Sequence, residues 1–330
     1  TKTYGYADKE NKIKVNKKTL FQAASISKPI TATATMITFQ NNPKLSLDAP
    51  FNNYLKKWKV PKSKLTKDTP VTMKLLLQHA GGITGARYKG YPYDQKLPTT
   101  VEVLNGECPS NTPGVTIVAA PGTKTIYSPY GYTIIQKFLE EHYKMPFHKL
   151  MDSLIIKPFN MGDSTFAEPL PKSYLPKIAL GYNENGKLIS LKPLSFAASA
   201  AGGLWTTPTD LANYVIKLED SLDKASTSPL KTKTAKEMLT AGVDNNWSLG
   251  FEVNRNSYGE HTNKKTDYFF SNGWNSGYLS MLVGNTKLHN GDVVMINTAP
   301  LMTFKGRVTQ YDFLAKLLVK IADSQKWPKT

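Results

Sequence analysis

Residues 21–36 read "FQAASISKPITATATM", and the interpretation of the whole chain starts from this stretch. Ser25 stands three residues before Lys28, with small and apolar side chains on both sides. A helix is predicted over residues 27–40, and Pro29 fits its first turn, where the missing N–H is harmless. Positions three apart on a helix share a face, so the side chains of Ser25 and Lys28 should be neighbours.

The Ser25–Lys28 pair has two interpretations. Burial and a nearby helix N-terminus both disfavour a protonated lysine, and a neutral lysine can take the proton of a serine nucleophile. The alternative is a serine that caps the helix beside a lysine whose charge reaches solvent. The same spacing recurs at Ser221–Lys224 and Ser228–Lys231. These two pairs lie in polar surroundings that predict solvated surface, whereas Ser25 is predicted to face the core.

Composition excludes several classes of protein. The chain has 330 residues, enough for about two domains, and its single cysteine, Cys108, excludes an intrachain disulfide. A net charge of +17 suggests a nucleic-acid partner, but only three of the 42 basic residues are arginine and the lysines are spread along the chain. We therefore predict no nucleic-acid partner. We also predict no transmembrane segment, no metal site and no cofactor, since neither a long apolar run nor metal-binding histidine spacing occurs.

Strand patterns lie at both ends of the chain and helix patterns in the middle. Residues 1–15 predict a hairpin, and further strands are predicted in "SLGFEV", "DYFFSNG" and "GYLSMLVGNTKLHNGDVVMINTA", the last turning at Asn290–Gly291. Helices are predicted over residues 69–79 and 129–143 and in "TTPTDLANYVIKLED". An amphipathic helix is expected near the end, with an apolar face formed by Phe313, Leu314, Leu317, Leu318 and Ile321.

The predicted fold class is therefore α+β. One antiparallel sheet, flanked by helices, would be built from residues 1–62 and 176–330, and residues 63–175 would form an inserted, mainly helical domain. Residues 86–126 show no clean periodicity and are rich in Pro, Gly and Tyr. A long stretch without regular structure often covers a functional site.

Six segments in order resemble the serine β-lactamase and penicillin-binding-protein superfamily, in its class C, D-Ala-D-Ala carboxypeptidase and esterase branch. They are "FQAASISKPITA", "MKLLLQHAGGITG", "PGTKTIYSPYGYTII", "ALGYNENGK", "SAAGGLWTTPTDLANYV" and "FFSNGWNSGYLSMLV". The first resembles the Ser-x-x-Lys element of that branch. The resemblance runs over nearly the whole chain and implies a β-lactamase/transpeptidase-like fold.

The resemblance also implies roles for individual residues. Ser25 would be acylated by an ester, amide or β-lactam carbonyl, and Lys28 would share a proton network with Tyr127. A free phenol has a pKa near about 10, so Tyr127 needs the positive charge that Lys28 could supply. The backbone N–H groups of Ser25 and Trp274 would form the oxyanion hole. The substrate-binding motif would consist of Ser271, Asn272 and Gly273.

Further expectations follow from the resemblance alone. The substrate would be a small molecule or peptide, such as one derived from peptidoglycan, and the protein would be periplasmic or secreted. Branch members carry a helix and a strand ahead of the segment similar to "TKTYGYAD", so the start of the chain is expected to be missing. The oligomeric state is not predicted. His79 is interpreted as a structural histidine rather than a catalytic base.

Two departures from the family pattern affect substrate recognition. Pro129 stands where the second motif has an asparagine, and Ser271 stands where the third motif has lysine or histidine. These changes leave two hypotheses. The first is an active serine hydrolase that prefers esters to penicillins; the second is a non-catalytic member that binds penicillin-like or peptidoglycan-like ligands.

Overall fold

The chain folds as a mixed α+β protein, and a computed structural model describes its residues 1–85, 88–223, 227–256, 262, 264–299 and 314. The helices are α1 (Ser27–Gln40), α2 (Met73–Leu77), α3 (Thr100–Asn105), α4 (Pro129–Tyr143), α5 (Phe147–Met151), α6 (Ser199–Gly202), α7 (Pro208–Asp220) and α8 (Thr232–Met238). The strands are β1 (Tyr6–Asp8), β2 (Ile13–Lys14), β3 (Phe21–Gln22), β4 (Trp205–Thr206), β5 (Glu252–Val253), β6 (Tyr268–Asn275), β7 (Tyr278–Asn285) and β8 (Asn290–Ile296).

Helix α1 forms the centre of the core. Every residue from Ser27 to Phe39 is buried, although the helix carries several hydroxyl groups. Thr33, Thr35 and Thr38 each donate their hydroxyl to the carbonyl four residues earlier. Local bonds of this kind satisfy a threonine inside a helix. The helix can therefore be buried on all sides without unpaired hydroxyls at these positions.

The largest sheet is antiparallel, in the order β5-β6-β7-β8. Strands β6 and β7 join through a two-residue turn at Ser276 and Gly277, and Gly277 has a φ of +85°, which favours glycine. One face packs on the main core through Phe269, and the other forms a smaller apolar cluster with Phe270 and Trp274. Helix α7 contacts β7 and β8.

The two ends of the chain meet, but the described strands form three sheets rather than the single sheet expected. β1 pairs with β2, as predicted for the opening hairpin, and β3 pairs with β4. Residues 178–182 link the ends, because Leu180 N donates to Ala7 O (2.7 Å) and Tyr182 N donates to Asn297 O (2.9 Å). Strands β1, β2 and β3 are only two or three residues long, too short for their hydrogen bonds to continue through residues 178–182 into the four-stranded sheet.

Two predicted boundaries were wrong. The helix expected over residues 69–79 begins at Met73, because Thr72 Oγ1 accepts the Leu75 N–H and caps it there. The turn expected at Asn290 lies just before it. The Asn285 side chain accepts the N–H groups of Lys287 (3.0 Å) and Leu288 (2.9 Å), so the chain reverses there and β8 starts at Asn290.

Other predictions were confirmed or lie outside the described part. The helices predicted over residues 27–40 and 129–143 match α1 and α4, and α7 starts after its Thr207 cap. Residues 86–126 contain the short helix α3, which was not predicted. Of the residues expected to form the last helix, the structure describes only Leu314, which is helical and buried.

The division into residues 1–62 plus 176–330 and an inserted segment 63–175 stays a prediction. The main apolar core includes residues from both parts, for example Met36 and Phe138. Within the described residues, none of the helices is both long enough and apolar enough to cross a membrane.

Candidate active site

Ser25 lies in the single helical turn, Ala24–Ile26, that leads directly into α1. Lys28 is one turn further on and is 3% exposed. Its Nζ donates to Ser25 Oγ (3.0 Å) and to the carbonyl of Ala201 on α6 (2.7 Å). These two bonds hold the amine beside the Ser25 oxygen, and the amine does not reach solvent.

Burial determines the protonation of Lys28. It lowers the pKa of the Lys28 amine from 10.5 to about 7, because the charged form loses its hydration. Among the described carboxylates, none forms an ion pair with this amine to offset the loss. A substantial share of the neutral form is therefore present at neutral pH.

Tyr127 reaches the same oxygen from the segment before α4. Its hydroxyl donates to Ser25 Oγ (2.7 Å), and Lys28 Nζ lies 4.9 Å from the centre of its ring. The helix start sets this position. Pro129 is the first residue of α4, and Ser128 Oγ donates to Thr84 O (2.7 Å) instead of capping the helix. Serine, amine and phenol thus meet although Tyr127 is 102 residues from Ser25.

Strand β6 packs against the segment that leads to Ser25, at a point where only glycine fits. A Cβ at Gly273 would lie 2.0 Å from Ala23 O and 2.3 Å from Ser280 Oγ. Ser280 on β7 donates to the same Ala23 carbonyl (2.8 Å). Gly273 and Ser280 together fix the backbone two residues before Ser25.

The other residues of the predicted third motif separate by strand geometry. Side chains alternate along a strand, so Ser271 shares a face with Gly273. Asn272 shares the opposite face with Phe270 and Trp274, which belong to the smaller apolar cluster. The Asn272 side chain is therefore on the face opposite to the one that packs on Ala23, and its contact with a substrate stays a prediction.

The side chain of Trp274 lies in the smaller apolar cluster, while its backbone N–H lies in the plane of the sheet. The two-residue turn makes Asn275 and Tyr278 the closing hydrogen-bonded pair of the hairpin, and such pairs alternate along antiparallel strands. The Trp274 N–H therefore points away from β7. Strand β6 also contacts the turn that carries Ser25.

Several residues that support the site were not singled out from the sequence. Gln136 on α4 accepts the Ala200 N–H (3.0 Å), and Thr31 donates to the Ala200 carbonyl (3.1 Å), which holds α6 beside Lys28. The half-buried Trp247 lies against the Tyr127 ring, 5.8 Å between centroids. No short-range motif marks these residues, because each contact joins positions more than 60 residues apart.

The two sequence pairs that share the Ser-x-x-Lys spacing have different surroundings. Ser221 Oγ donates to Lys217 O (2.7 Å) and lies 2.6 Å from Ser228 Oγ. Lys224 lies outside the described residues, and Lys231 is exposed. The solvated surface predicted for this pair was wrong at Ser221, which is 0% exposed and is bonded to its own helix end and to a neighbouring serine.

Comparisons with known proteins place the chain among related sequences and folds. The Beta-lactamase family profile matches residues 1–316. A beta-lactamase from Pseudomonas fluorescens is 28% identical over 228 residues, 67% of this chain and 58% of that protein. The chain spans little more than half the length of the curated relatives it matches.

Solved structures share the fold over nearly all of the chain. A D-amino acid amidase from Ochrobactrum anthropi SV3 superposes with a TM-score of 0.74 at 19% identity, covering 97% of this chain and 89% of that one. A penicillin-binding protein from Bacillus halodurans superposes with a TM-score of 0.71 at 20% identity, covering 95% and 89%. At these identities the similarity establishes the fold alone.

Proposed function

The chain belongs to the Beta-lactamase family, and from that premise we propose that it is a serine hydrolase that forms an acyl-enzyme on Ser25. One observation carries the proposal. The buried Lys28 amine and the Tyr127 hydroxyl both lie within 3.0 Å of the Ser25 oxygen. A nucleophile with two proton-transfer groups in hydrogen-bond reach has the geometry that covalent catalysis requires.

The proposed reaction has two halves. Ser25 Oγ attacks the substrate carbonyl while its proton passes to the Lys28–Tyr127 network. The N–H groups of Ser25 and Trp274 stabilise the resulting oxyanion. The tetrahedral intermediate collapses, the proton returns to the leaving group, and an ester to Ser25 remains. Water then attacks this ester with the same network as base, which releases the acid and restores Ser25.

We propose that esters are better substrates than penicillins. A penicillin carries a carboxylate beside the scissile bond, and Ser271 offers no cation to hold it. A hydrogen bond to a charged group contributes about 1.5–3 kcal/mol, so its loss lowers the rate by roughly 10- to 150-fold. Pro129 also lacks the side-chain amide that would orient a substrate amide. Among the described residues, Ser25 Oγ is hydrogen-bonded by Lys28 and Tyr127 and by neither of these two residues, so acylation by an ester keeps its nucleophile and proton acceptors.

Mass spectrometry after reaction with a fluorophosphonate tests the acylation site. We expect one adduct, mapped to the peptide that contains Ser25 and absent from Ser25→Ala. Ser221→Ala is the matched control, because its serine has the same spacing to a lysine, and it should label as the wild type does. Labelling of Ser25→Ala at the wild-type rate contradicts the assignment.

Relative turnover of a p-nitrophenyl ester and nitrocefin tests the substrate class. We expect a higher kcat/KM for the short-chain ester on the same preparation. Ser271→Lys restores a cation and should raise nitrocefin turnover about tenfold or more while leaving the ester nearly unchanged. A wild type that prefers nitrocefin tenfold would show that Ser271 does not limit carboxylate recognition.

A second function remains open because of the same two departures. Pro129 and Ser271 are compatible with a protein that binds a penicillin-like or peptidoglycan-derived ligand and does not turn it over. Steady-state ester hydrolysis separates the two, since a binding protein gives stoichiometric label without turnover. A secreted or periplasmic location is proposed from the family resemblance.

A further inference from the structure

His79 contacts Tyr127 and both of its neighbours in the chain. Ile126 N donates to the His79 carbonyl (2.7 Å), and Ser128 N donates to His79 Nδ1 (3.1 Å). The imidazole also lies against the Tyr127 ring, with 4.5 Å between centroids and 38° between planes. One residue thus bonds the backbone on each side of the tyrosine and packs on the side chain between them.

The bond from Ser128 defines the protonation of the His79 ring. An N–H can donate to Nδ1 only when that nitrogen carries a lone pair, so the ring proton lies on Nε2. Burial, together with the nearby Lys28 charge, lowers the pKa of His79 well below its usual value. Within the described residues Nε2 is buried without a hydrogen-bond partner. The ring is therefore neutral and does not serve as a proton acceptor for Ser25.

The backbone of His79 has a conformation that few residue types accept. Its φ is +56°, directly after the last turn of α2. Histidine and asparagine tolerate this left-handed region better than most residues with a side chain. The reversal turns the His79 carbonyl and ring toward the segment 126–128. Trp247 packs on the same imidazole, 4.8 Å between centroids, with the ring planes nearly perpendicular.

We propose that His79 is the positioning residue of the acylation step, which holds the Tyr127 hydroxyl on the Ser25 oxygen by bonding residues 126 and 128 and packing on the ring between them. The inference rests on the proposed function, in which Tyr127 belongs to the proton network. It assigns His79 a role through Tyr127 and not through contact with the substrate. A displacement of about 1 Å at a reacting group lowers a rate by roughly 10²-fold.

A double-mutant cycle on the full chain separates this role from general stabilisation. His79→Ala removes both the Nδ1 acceptor and the ring. His79→Asn keeps an acceptor near the Nδ1 position and suits the positive φ, so it is the conservative variant. Both are made in the wild type and in Tyr127→Phe, where the hydroxyl to be positioned is absent. The readouts are the rate constant of Ser25 acylation by a p-nitrophenyl ester and KM.

With Tyr127 present, we expect His79→Ala to slow acylation about 10²-fold with KM within about threefold, and His79→Asn to recover about tenfold of that loss. In Tyr127→Phe both substitutions should change acylation by less than about twofold. An equal fold-loss in both backgrounds overturns the proposal, because it marks a structural role. Should His79→Ala not fold, the His79→Asn cycle is read by the same criterion.

Nitrogen-15 NMR of the histidine side chains tests the hydrogen bond from Ser128 N to His79 Nδ1 without reference to activity. We expect the His79 signals, assigned by their absence from His79→Asn, to show the neutral Nε2–H tautomer at pH 7. A protonated ring or a proton on Nδ1 overturns the proposal. Failure of the proposed function looks different: the wild type would show no acylation of Ser25 while His79 still showed the Nε2–H tautomer. In that case His79 has no positioning role in catalysis, although its contacts with residues 126–128 are confirmed.

Discussion

The pH dependence of ester hydrolysis should report the titration of Lys28. Burial lowers the pKa of this amine from 10.5 to about 7. An amine with the ordinary value is neutral in only about one molecule in 3,000 at pH 7, whereas one with a pKa of about 7 is neutral in about half. The buried site therefore supplies on the order of 10³ times more base than an exposed lysine in the same place.

The expected profile follows from the sign of this shift. The neutral amine is the proton acceptor, so activity rises with pH. Its population grows from about a tenth at pH 6 to about nine-tenths at pH 8. We expect kcat/KM for a p-nitrophenyl ester, measured from pH 5 to 9, to rise about tenfold between pH 6 and 8 and then level off.

Lys28→Arg is the matched variant, because a guanidinium keeps its proton across this range and cannot accept another. We expect it to lose at least about 10²-fold in kcat/KM at every pH. Two results would refute the reasoning. A wild-type profile that is flat above pH 5, or that still rises tenfold per pH unit at pH 9, contradicts the lowered pKa. A Lys28→Arg variant within tenfold of wild type removes Lys28 from proton transfer.

Two further predictions concern backbone packing and a buried acid. Gly273→Ala places a Cβ 2.0 Å from Ala23 O and should slow acylation about 10²-fold or more. In the control Gly202→Ala the new Cβ meets nothing within 4 Å, and Ser25 should be labelled at the wild-type rate. Labelling of Gly273→Ala at the wild-type rate would contradict the tight packing. Burial raises the pKa of Glu219 to about 8, so the stability this group contributes is present below about pH 4.5 and is lost as pH rises toward 8. The melting temperature of Glu219→Gln, whose side chain can still accept the Asn285 N–H, should therefore gain on that of the wild type between pH 5 and 8 in a fluorescence melt. A difference that does not change with pH would exclude Glu219 as its source.

Local sequence predicted the elements whose signals are short in range. The helix patterns over residues 27–40 and 129–143 predicted the bounds of α1 and α4 to the residue. The family resemblance predicted the fold class, which the related structures confirm. Two boundaries were wrong because nearby polar side chains bond the backbone: Asn285 accepts the Lys287 and Leu288 N–H groups and places the turn before Asn290, and Thr72 caps α2 so that it begins at Met73.

The sequence by itself determined that Ser25 and Lys28 would share one face, because a helix brings residues three apart together wherever it lies. Only the tertiary structure decided the chemistry of that pair. The carbonyl of Ala201 and the phenol of Tyr127 come from segments far along the chain, and burial by those segments lowers the pKa of Lys28. The same holds for Asn272, whose strand position was predicted while its face was not. Which side chains are neighbours on a helix depends on a few consecutive residues. The loss of hydration at a buried amine, and what packs on each face of a strand, depend on segments from the whole fold.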